Sequence, residues 1–368
     1  MSAAGRQPLV NVFVFLGDGF GETRWRKAQE AEGIPGMNGP LPYGYYHACN
    51  NEWSIIHSED CSRAWFQSLM QRGLRRLLGF DFVHAWRNRE GLWRSDVVWT
   101  HTEREYLAAL TLWLCKPWRR RPKLIAQTIW LFDRWPTLSA LRRAIYLRLM
   151  RRADLLTTLS PENLRVARRL FPDKRCELVR FGVEASALRP VSRLEFHDPI
   201  RIVSLGTDFH RDWDTLVEAL GGWKPVSVRI AGLPKPNRRI WPDNLAIVRP
   251  KTAKAIYDLY KWADLVVIPL KPNLHASGIT VLFEAVASGV PAICTDSGGL
   301  RAYFSDQEVG YVAPGNPSAL RAKILEFAAD SSNCHQLAVR AQHRILTENL
   351  TARAYAMRHR ELSQTLLH

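Results

Sequence analysis

The sequence has no apolar run approaching the ~20 residues that a membrane-spanning helix needs. Its uninterrupted apolar stretches are short, such as Leu265-Val-Val-Ile268 between Asp264 and Pro269, which excludes a chain built of spanning helices. Val10–Leu16 is too short for a secretory leader, is broken by Asn11, and is followed by no small-residue cleavage site, so a cytoplasmic location is expected. The six cysteines (Cys49, Cys61, Cys115, Cys176, Cys294 and Cys334) include no close pair. That spacing excludes a metal knuckle and a CxxC redox centre, and they read as reduced thiols. There is no internal repeat and no low-complexity tract. There is also no Ser-His-Asp order and no metal-binding pair of histidines; His57 and Asp60 are close in sequence, but nothing nearby completes a nucleophile system.

What is present fits an ordinary globular chain. Of 368 residues, 46% are apolar and 23% charged, and the length allows two domains. The net charge of +16 is uneven. Residues 1–190 hold 30 Lys and Arg against 18 Asp and Glu, whereas residues 191–368 hold 21 against 17. Arginine outnumbers lysine 40 to 11, which a compositional bias toward Arg explains, but such a bias does not explain the asymmetry between halves. The basic half should face something anionic: nucleic acid, acidic lipid or a phosphorylated substrate.

Short apolar runs alternate with helical periodicity along the chain, which predicts parallel α/β sheets. In the first half the predicted strands are 10–16, 53–57, 97–100, 124–129 and 155–159. The predicted helices there are 64–78, 103–114 and 138–152. The Gly/Pro-rich stretch 33–44 reads as loop. Residues 183–199, with two prolines and no apolar period, read as a linker. A second series follows, with strands at 200–205, 226–231, 245–248, 265–268 and 291–295 and helices at 213–220, 253–262, 281–288 and 317–329. The division expected is 1–183, a linker at 184–199, a second domain at 200–345, and a C-terminal helix at 346–368 that packs back on the first domain. Two doubly wound, Rossmann-like domains with a ligand in the cleft between them is the simplest architecture.

The most informative segment runs from Leu274 to Gly299. A strand ends near Pro269, a loop carries Ser277-Gly278, and a helix starts near Ile279. A helix N-terminus offers unpaired N–H groups and a positive dipole end, and Gly278 lets a phosphate approach that backbone. Glu284, on the same helix, has the chemistry to hold a pair of vicinal hydroxyls. Gly289-Val-Pro291 then ends the helix and opens the next strand. Read without reference to other proteins, this is also what any strand-loop-helix unit with a solvated Glu284 looks like.

Glu284-Ala285, Gly289, Pro291 and Gly298-Gly299 stand in the order and spacing of the donor signature of the family 4 glycosyltransferases, which have the GT-B fold. The segment resembles that signature over about forty residues, and Gly310–Gly315 resembles the loop that follows it in the family. One position departs: Ala276 stands where the family usually has its first glutamate, near the sugar, and neighbouring His275 is a candidate for that polar role. The stretch from Ile200 to Ala219 resembles the family's first strand and helix of this domain. Thr207 replaces the usual Arg after the glycine, and Arg211 stands near the usual phosphate-binding Lys. In the first half, Gly17-Asp-Gly-Phe-Gly21 resembles the family's glycine loop, and His101, just past a strand end, stands where the family has a sugar-contacting His. Asp133 is a further candidate.

The resemblance implies a retaining glycosyltransferase that uses a nucleotide-sugar and needs no metal or cofactor. Its candidate catalytic residues are His101 and Arg211. Its donor-binding candidates are Gly17, Gly19, His275, Gly278, Ile279, Thr280 and Glu284. The Arg- and Trp-bearing stretches 64–78 and 113–123 and the basic amphipathic stretch 138–152 suit shallow docking on anionic lipid. A lipid-linked glycan acceptor at the inner membrane face is therefore expected, with a soluble acceptor as the alternative. A non-catalytic nucleic-acid-binding protein is the rival class, but no helix-turn-helix, zinc or RNA-recognition signature is present.

Overall fold

The structure, a computed structural model, describes residues 9–31, 39–60, 65–192, 195–232 and 241–368, and the side chains of the helix starting at Trp65 only from Gln71 onward. Part of the loop expected at 33–44, the start of the helix expected at 64, Cys61 and two positions of the expected linker lie outside these residues. The chain divides into two compact units. Unit 1 comprises residues up to Glu30, Gly39–Val179 and Arg353–His368; unit 2 includes Arg180–Ala352.

Unit 1 contains β1 (Val10–Phe15), α1 (Glu22–Glu30), β2 (Trp53–His57), α2 (Trp65–Leu78), α3 (Phe82–Arg87), α4 (Arg89–Arg94), β3 (Val97–Thr100), α5 (Glu103–Leu114), β4 (Lys123–Thr128), α6 (Leu131–Arg134), α7 (Ala140–Met150), β5 (Leu155–Thr158), α8 (Pro161–Leu170) and β6 (Cys176–Leu178). Its strands form one parallel sheet in the order β2-β1-β3-β4-β5-β6. β3 and β5 are buried at every position, as expected of strands covered by helices on both faces. The helices begin where polar side chains can take up free N–H groups. Thr102 and Glu105 form a capping box on α5, and Ser160 caps α8, which has Pro161 in its first turn.

Unit 2 contains β7 (Ile200–Leu205), α9 (Trp213–Leu220), β8 (Val226–Ala231), β9 (Leu245–Val248), α10 (Ala253–Trp262), β10 (Leu265–Ile268), α11 (Ile279–Ala287), β11 (Ala292–Thr295), β12 (Gly310–Val312), α12 (Pro317–Ala329) and α13 (Ser331–Thr347). Its parallel sheet has the order β12-β11-β10-β7-β8-β9. Apolar clusters on each face pack α10, α11 and α13 on one side and α9 and α12 on the other. α14 (Ala352–Leu367) has all but its first residue in unit 1, where Ser363 Oγ accepts from Trp99 Nε1 at 2.8 Å.

Strand order reverses between β1 and β3 in unit 1 and between β7 and β10 in unit 2. In open α/β sheets the crevice at the carboxyl ends of such strands is the ligand site. The loops at those ends carry Gly17 and His101 in unit 1, and Arg211 and Gly278 in unit 2.

Three expectations are corrected. The described residues of 184–199, expected as a linker, belong to unit 2. Arg189 N–H donates to Ala287 O at 2.7 Å, and Asp264 accepts from His197 N–H at 3.1 Å, so this stretch is held against unit 2. Gly310–Gly315 is not wholly loop, because Gly310–Val312 pairs with β11 as the edge strand β12. α11 starts at Ile279, as the reading of the Ser277-Gly278 loop had it and two residues before the bound of 281 given for that helix, because left-handed Gly278 (φ 86°) is its N-cap. In addition, α3 and α4 went unread; at six residues each they are too short to show a helical period.

Candidate functional site

In unit 2 the segment after β7 is laid beside the segment after β10. Lys271 N–H donates to His210 O at 2.8 Å, Asp212 N–H donates to Pro269 O at 3.0 Å, and Arg211 and Leu270 form an antiparallel bridge. This pairing carries the Arg211 side chain inward, where it is only 4% exposed. Its Nε donates to Leu205 O at 2.9 Å, while its Nη1 is buried with no hydrogen-bond partner. Burial pushes the guanidinium pKa down to about 10 against the favourable pull of Asp208, so the group stays charged at neutral pH. Two glycines make room for it. A Cβ on Gly206 would lie 2.1 Å from Arg211 Nε, and a Cβ on Gly278 would lie 2.7 Å from Arg211 Nη1.

The loop that precedes α11 is tied down from within. Leu270 N–H donates to Thr295 Oγ1 at 2.9 Å, Asn273 N–H to Ser297 Oγ at 3.0 Å, and Ser277 N–H to Asn273 Oδ1 at 3.1 Å. Gly298 is required for this closeness, since a Cβ there would lie 2.2 Å from Asn273 Oδ1. Ser277 Oγ, like Arg211 Nη1, is buried without a partner. Two orphaned polar atoms thus flank Gly278 at a helix N-terminus, where first-turn N–H groups have no intrahelical acceptor. A positive group, a hydroxyl and a helix dipole end together favour an anion.

The other unit 2 candidates surround this point. Ile279 is buried and Thr280 exposed in the first turn of α11. Glu284 lies about one and a half turns along the helix and accepts from the buried Tyr260 hydroxyl at 2.7 Å. His275 is buried with Nε2 3.1 Å from Asp208 Oδ2, and Asp208 Oδ1 accepts from the His210 N–H at 2.8 Å. Ala276, at the position of the family's first glutamate, has left-handed backbone (φ 56°) and is buried.

In unit 1, Gly17, His101 and thirteen further residues line a cavity of about 170 Å³ at the carboxyl ends of β1 and β3. The turn after β1 is held by Asp60, whose Oδ1 accepts from Gly19 N–H at 2.9 Å; Gly19 needs to be glycine for its φ of 104°. Asp18, Asp60 and His84 bring one ligating atom each within 4.8 Å of one another. Asp60 and His84 are already used in holding this turn, since His84 Nε2 donates to Leu16 O at 2.9 Å.

His101 is a buried wall of the cavity rather than a freely exposed ligand. Its Nδ1 faces the Gln127 amide nitrogen at 3.2 Å and the Tyr45 hydroxyl at 3.1 Å, so Nδ1 accepts and Nε2 carries the proton. Tyr43 stacks on the ring with centroids 3.5 Å apart. Burial, reinforced by His359, lowers the His101 pKa to about 3, and the ring is neutral at physiological pH. Asp133 lies in α6, outside this lining.

Sequence reasoning missed Glu105. It lines the same cavity, is 6% exposed, and its Oε1 would lie 3.1 Å from a Cβ on Gly17. Burial raises its pKa to about 7 despite the stabilising Thr102 hydrogen bond. The available signal was its position one helical turn after His101, at the third residue of a capping box.

The arginines of the stretches expected to dock on lipid have different surroundings. Arg75 lines the Gly17 cavity, Arg119 lines a different one, and Arg121 Nη1 is engaged by Asp154 Oδ2 at 2.6 Å. No helix of the described residues is long and apolar enough to cross a membrane.

Residues 241–344, which include Gly278 and Glu284, match the family model of glycosyl transferases group 1. No curated protein matches the chain in sequence. Among solved structures, the sucrose-phosphate synthase of Thermosynechococcus elongatus aligns with a TM-score of 0.68 at 16% identity, over 97% of this chain and 99% of that one. The Anabaena protein HepE in complex with UDP-glucose aligns with a TM-score of 0.64 at 12% identity, over 96% and 99%. An E. coli trehalose-6-phosphate protein bound with UDP-2-fluoro glucose aligns with a TM-score of 0.59 at 12% identity, over 96% and 98%. The fold is that of the GT-B glycosyltransferases: two α/β units, each on a six-stranded parallel sheet. Within unit 2, the match to glycosyl transferases group 1 covers residues 241–344 only.

Proposed function

We propose that the chain is a retaining glycosyltransferase that moves a sugar from a nucleotide-sugar donor to a glycan acceptor, lipid-linked and met at the inner face of the membrane. The observation that carries this reading is the buried Arg211 Nη1, unpartnered beside Gly278 at the N-terminus of α11. The solved structures of HepE with UDP-glucose and of the E. coli protein with UDP-2-fluoro glucose support a nucleotide-sugar donor.

In this reading the donor diphosphate lies on Gly278, Ile279 and Thr280. The α11 N–H groups and Arg211 stabilise charge that grows on the leaving phosphate as the glycosidic bond breaks. Because Arg211 is already placed and desolvated, little reorganisation accompanies that step. Glu284, oriented by Tyr260, holds the ribose hydroxyls. Asp208 orients His275 toward the role left by Ala276. In unit 1 the neutral His101 offers Nε2–H to a sugar hydroxyl, Gly17 and Gly19 allow close approach of backbone, and Glu105 accepts from the acceptor. The acceptor attacks from the side the leaving group departs, and the donor phosphate helps take its proton, so no protein nucleophile and no metal or cofactor takes part.

A soluble acceptor is the second reading. The likeness to a sucrose-phosphate synthase across nearly the whole chain favours it, since that name denotes a soluble sugar phosphate. The test is incubation with UDP-, GDP- and ADP-sugars and either lipid-linked or soluble glycans, with the anomeric configuration of the product read by NMR. Transfer with retention to the lipid-linked acceptor is expected. Transfer only to soluble sugars supports the second reading, and inversion or no transfer contradicts the first.

A further inference from the structure

Unit 1 has a second cavity, of about 270 Å³, that the proposed reaction does not use. It lies at the amino edge of the sheet, opposite Gly17. Its walls come from α4 and from the turn after α5, and α4 leads into Asp96, whose carboxylate accepts from Asn11 N–H at 2.8 Å near the start of β1.

The lining gathers cations. Arg89, Arg94, Lys116 and Arg119 face it together with a single carboxylate, Glu90. Glu90 is 3.7 Å from Arg94, which neutralises that pair. Among the described residues no carboxylate lies within ion-pair distance of Arg89, Lys116 or Arg119. Two of these three are held by tryptophan faces: Arg89 lies 5.4 Å from the Trp86 ring and Arg119 lies 4.7 Å from the Trp93 ring. Arg89 also donates from Nη1 to Trp86 O at 3.0 Å. A guanidinium stacked on a ring keeps its edge N–H groups available and its position fixed. Like charges gathered around one cavity repel, and an anion seated among them reverses that cost.

We propose that this cavity is a binding site for a phosphate-bearing ligand, with Arg89, Lys116 and Arg119 as its donors, separate from the site at Gly278. Arginine paired with phosphate forms the strong, charge-assisted class of hydrogen bond, and the tryptophan walls suit the organic part of such a ligand. Two sources share this chemistry: a soluble phosphate compound and a phospholipid headgroup. Trp86, 45% exposed, and Trp118, 78% exposed between Lys116 and Arg119, would enter a lipid surface if the headgroup is the source. The inference stands on the cavity and its charges and does not depend on the transferase reading.

The test uses the full chain and Lys116→Gln/Arg119→Gln, with Arg72→Gln/Arg76→Gln as a control that removes the same charge elsewhere. The substituted positions are surface ones, and an unchanged melting curve verifies the fold. In calorimetry with inorganic pyrophosphate, the Lys116/Arg119 variant should lose at least tenfold in affinity at one class of site, while the control binds like wild type. Flotation with phosphatidylcholine vesicles, with and without phosphatidylglycerol, assigns the source. Wild type floating only with phosphatidylglycerol, and failing to float in the Lys116/Arg119 variant, assigns the headgroup. Pyrophosphate binding without flotation assigns a soluble phosphate. The proposal is overturned if the Lys116/Arg119 variant matches wild type in both assays, if the control loses as much as that variant, or if wild type binds neither probe.

Discussion

The site in unit 2 and the cavity in unit 1 are built in different ways. Around Gly278, most of the geometry comes from two short segments, 206–212 and 269–284, brought side by side because they follow neighbouring strands. Around Gly17, the walls come from β1, the Tyr43 turn, α2, α3, α5 and Trp130, which are spread over more than a hundred residues. The first kind of site leaves its record in local spacing; the second is made by long-range packing. The electrostatics differ too. Unit 2 buries a positive group that stays charged, Arg211, whereas unit 1 buries groups pushed toward neutrality, His101 and Glu105.

If unit 2 supplies charge stabilisation, removing it should have the largest effect. Arg211→Ala is expected to lower turnover roughly 10²–10³-fold, the usual cost of losing one preorganised donor at developing charge. Binding of the bare nucleoside should change little. Steady-state kinetics and nucleoside calorimetry on the same variant check this, and equal losses in both would remove Arg211 from the chemistry.

Next in size is Glu284→Gln, which replaces a charged acceptor of ribose hydroxyls by a neutral one. It should weaken nucleotide binding by about 1.5–3 kcal/mol, the range for a hydrogen bond to a charged group. Calorimetry with nucleotide and with inorganic pyrophosphate separates the roles, because pyrophosphate binding should be unaffected. Unchanged nucleotide affinity counts against the ribose contact.

The smallest effect concerns unit 1. The Glu105 carboxyl titrates at about 7 in the folded chain, against 4.5 for an unburied glutamate. Between those values the folded state holds a proton that the unfolded chain has released, so stability falls as pH rises through this window. Glu105→Gln, which mimics the protonated form, should match wild type near pH 5 and exceed it near pH 8 by roughly 1–3 kcal/mol. Denaturant melts at the two pH values test this, and parallel curves for the two proteins would show that Glu105 is ionised throughout.

The same contrast explains what could be read from the sequence. Both parallel sheets were legible, because fully buried strands appear as short apolar runs; β2, β3, β7, β8, β9 and β10 were read with their observed bounds. Helices such as α5 and α10 were read too, while α3 and α4 were too short to show a period, and α8 and α13 were missed despite their length. Gly278 was legible because a glycine stands between a strand end and a helix start, where close backbone approach needs one, whereas Arg211 was a candidate only through the family resemblance. That Arg211 is wedged between Gly206 and Gly278, rather than lying near them, required the structure. Glu105 went unread because its one local signal, the capping-box position after His101, is the same for a glutamate facing solvent as for one buried against Gly17. The docking surface was drawn from charge asymmetry and Arg-bearing helical stretches, whereas which cavity Arg75 and Arg119 each line required the structure.

The central claim is that a donor diphosphate sits on Gly278. The most direct test is a thermal-shift titration of wild type and Gly278→Ala with UDP-, GDP- and ADP-sugars, alongside the nucleosides. A Cβ at this left-handed residue would collide with Arg211 Nη1 and with Ile268 Cγ2, each 2.7 Å away, and would close the approach to the helix N-terminus. At least one nucleotide-sugar should raise the melting temperature of wild type in a concentration-dependent way, its nucleoside should do so weakly, and Gly278→Ala should not respond. A wild type that responds to none of the nucleotide-sugars, or a Gly278→Ala variant that responds as strongly as wild type, would contradict the account.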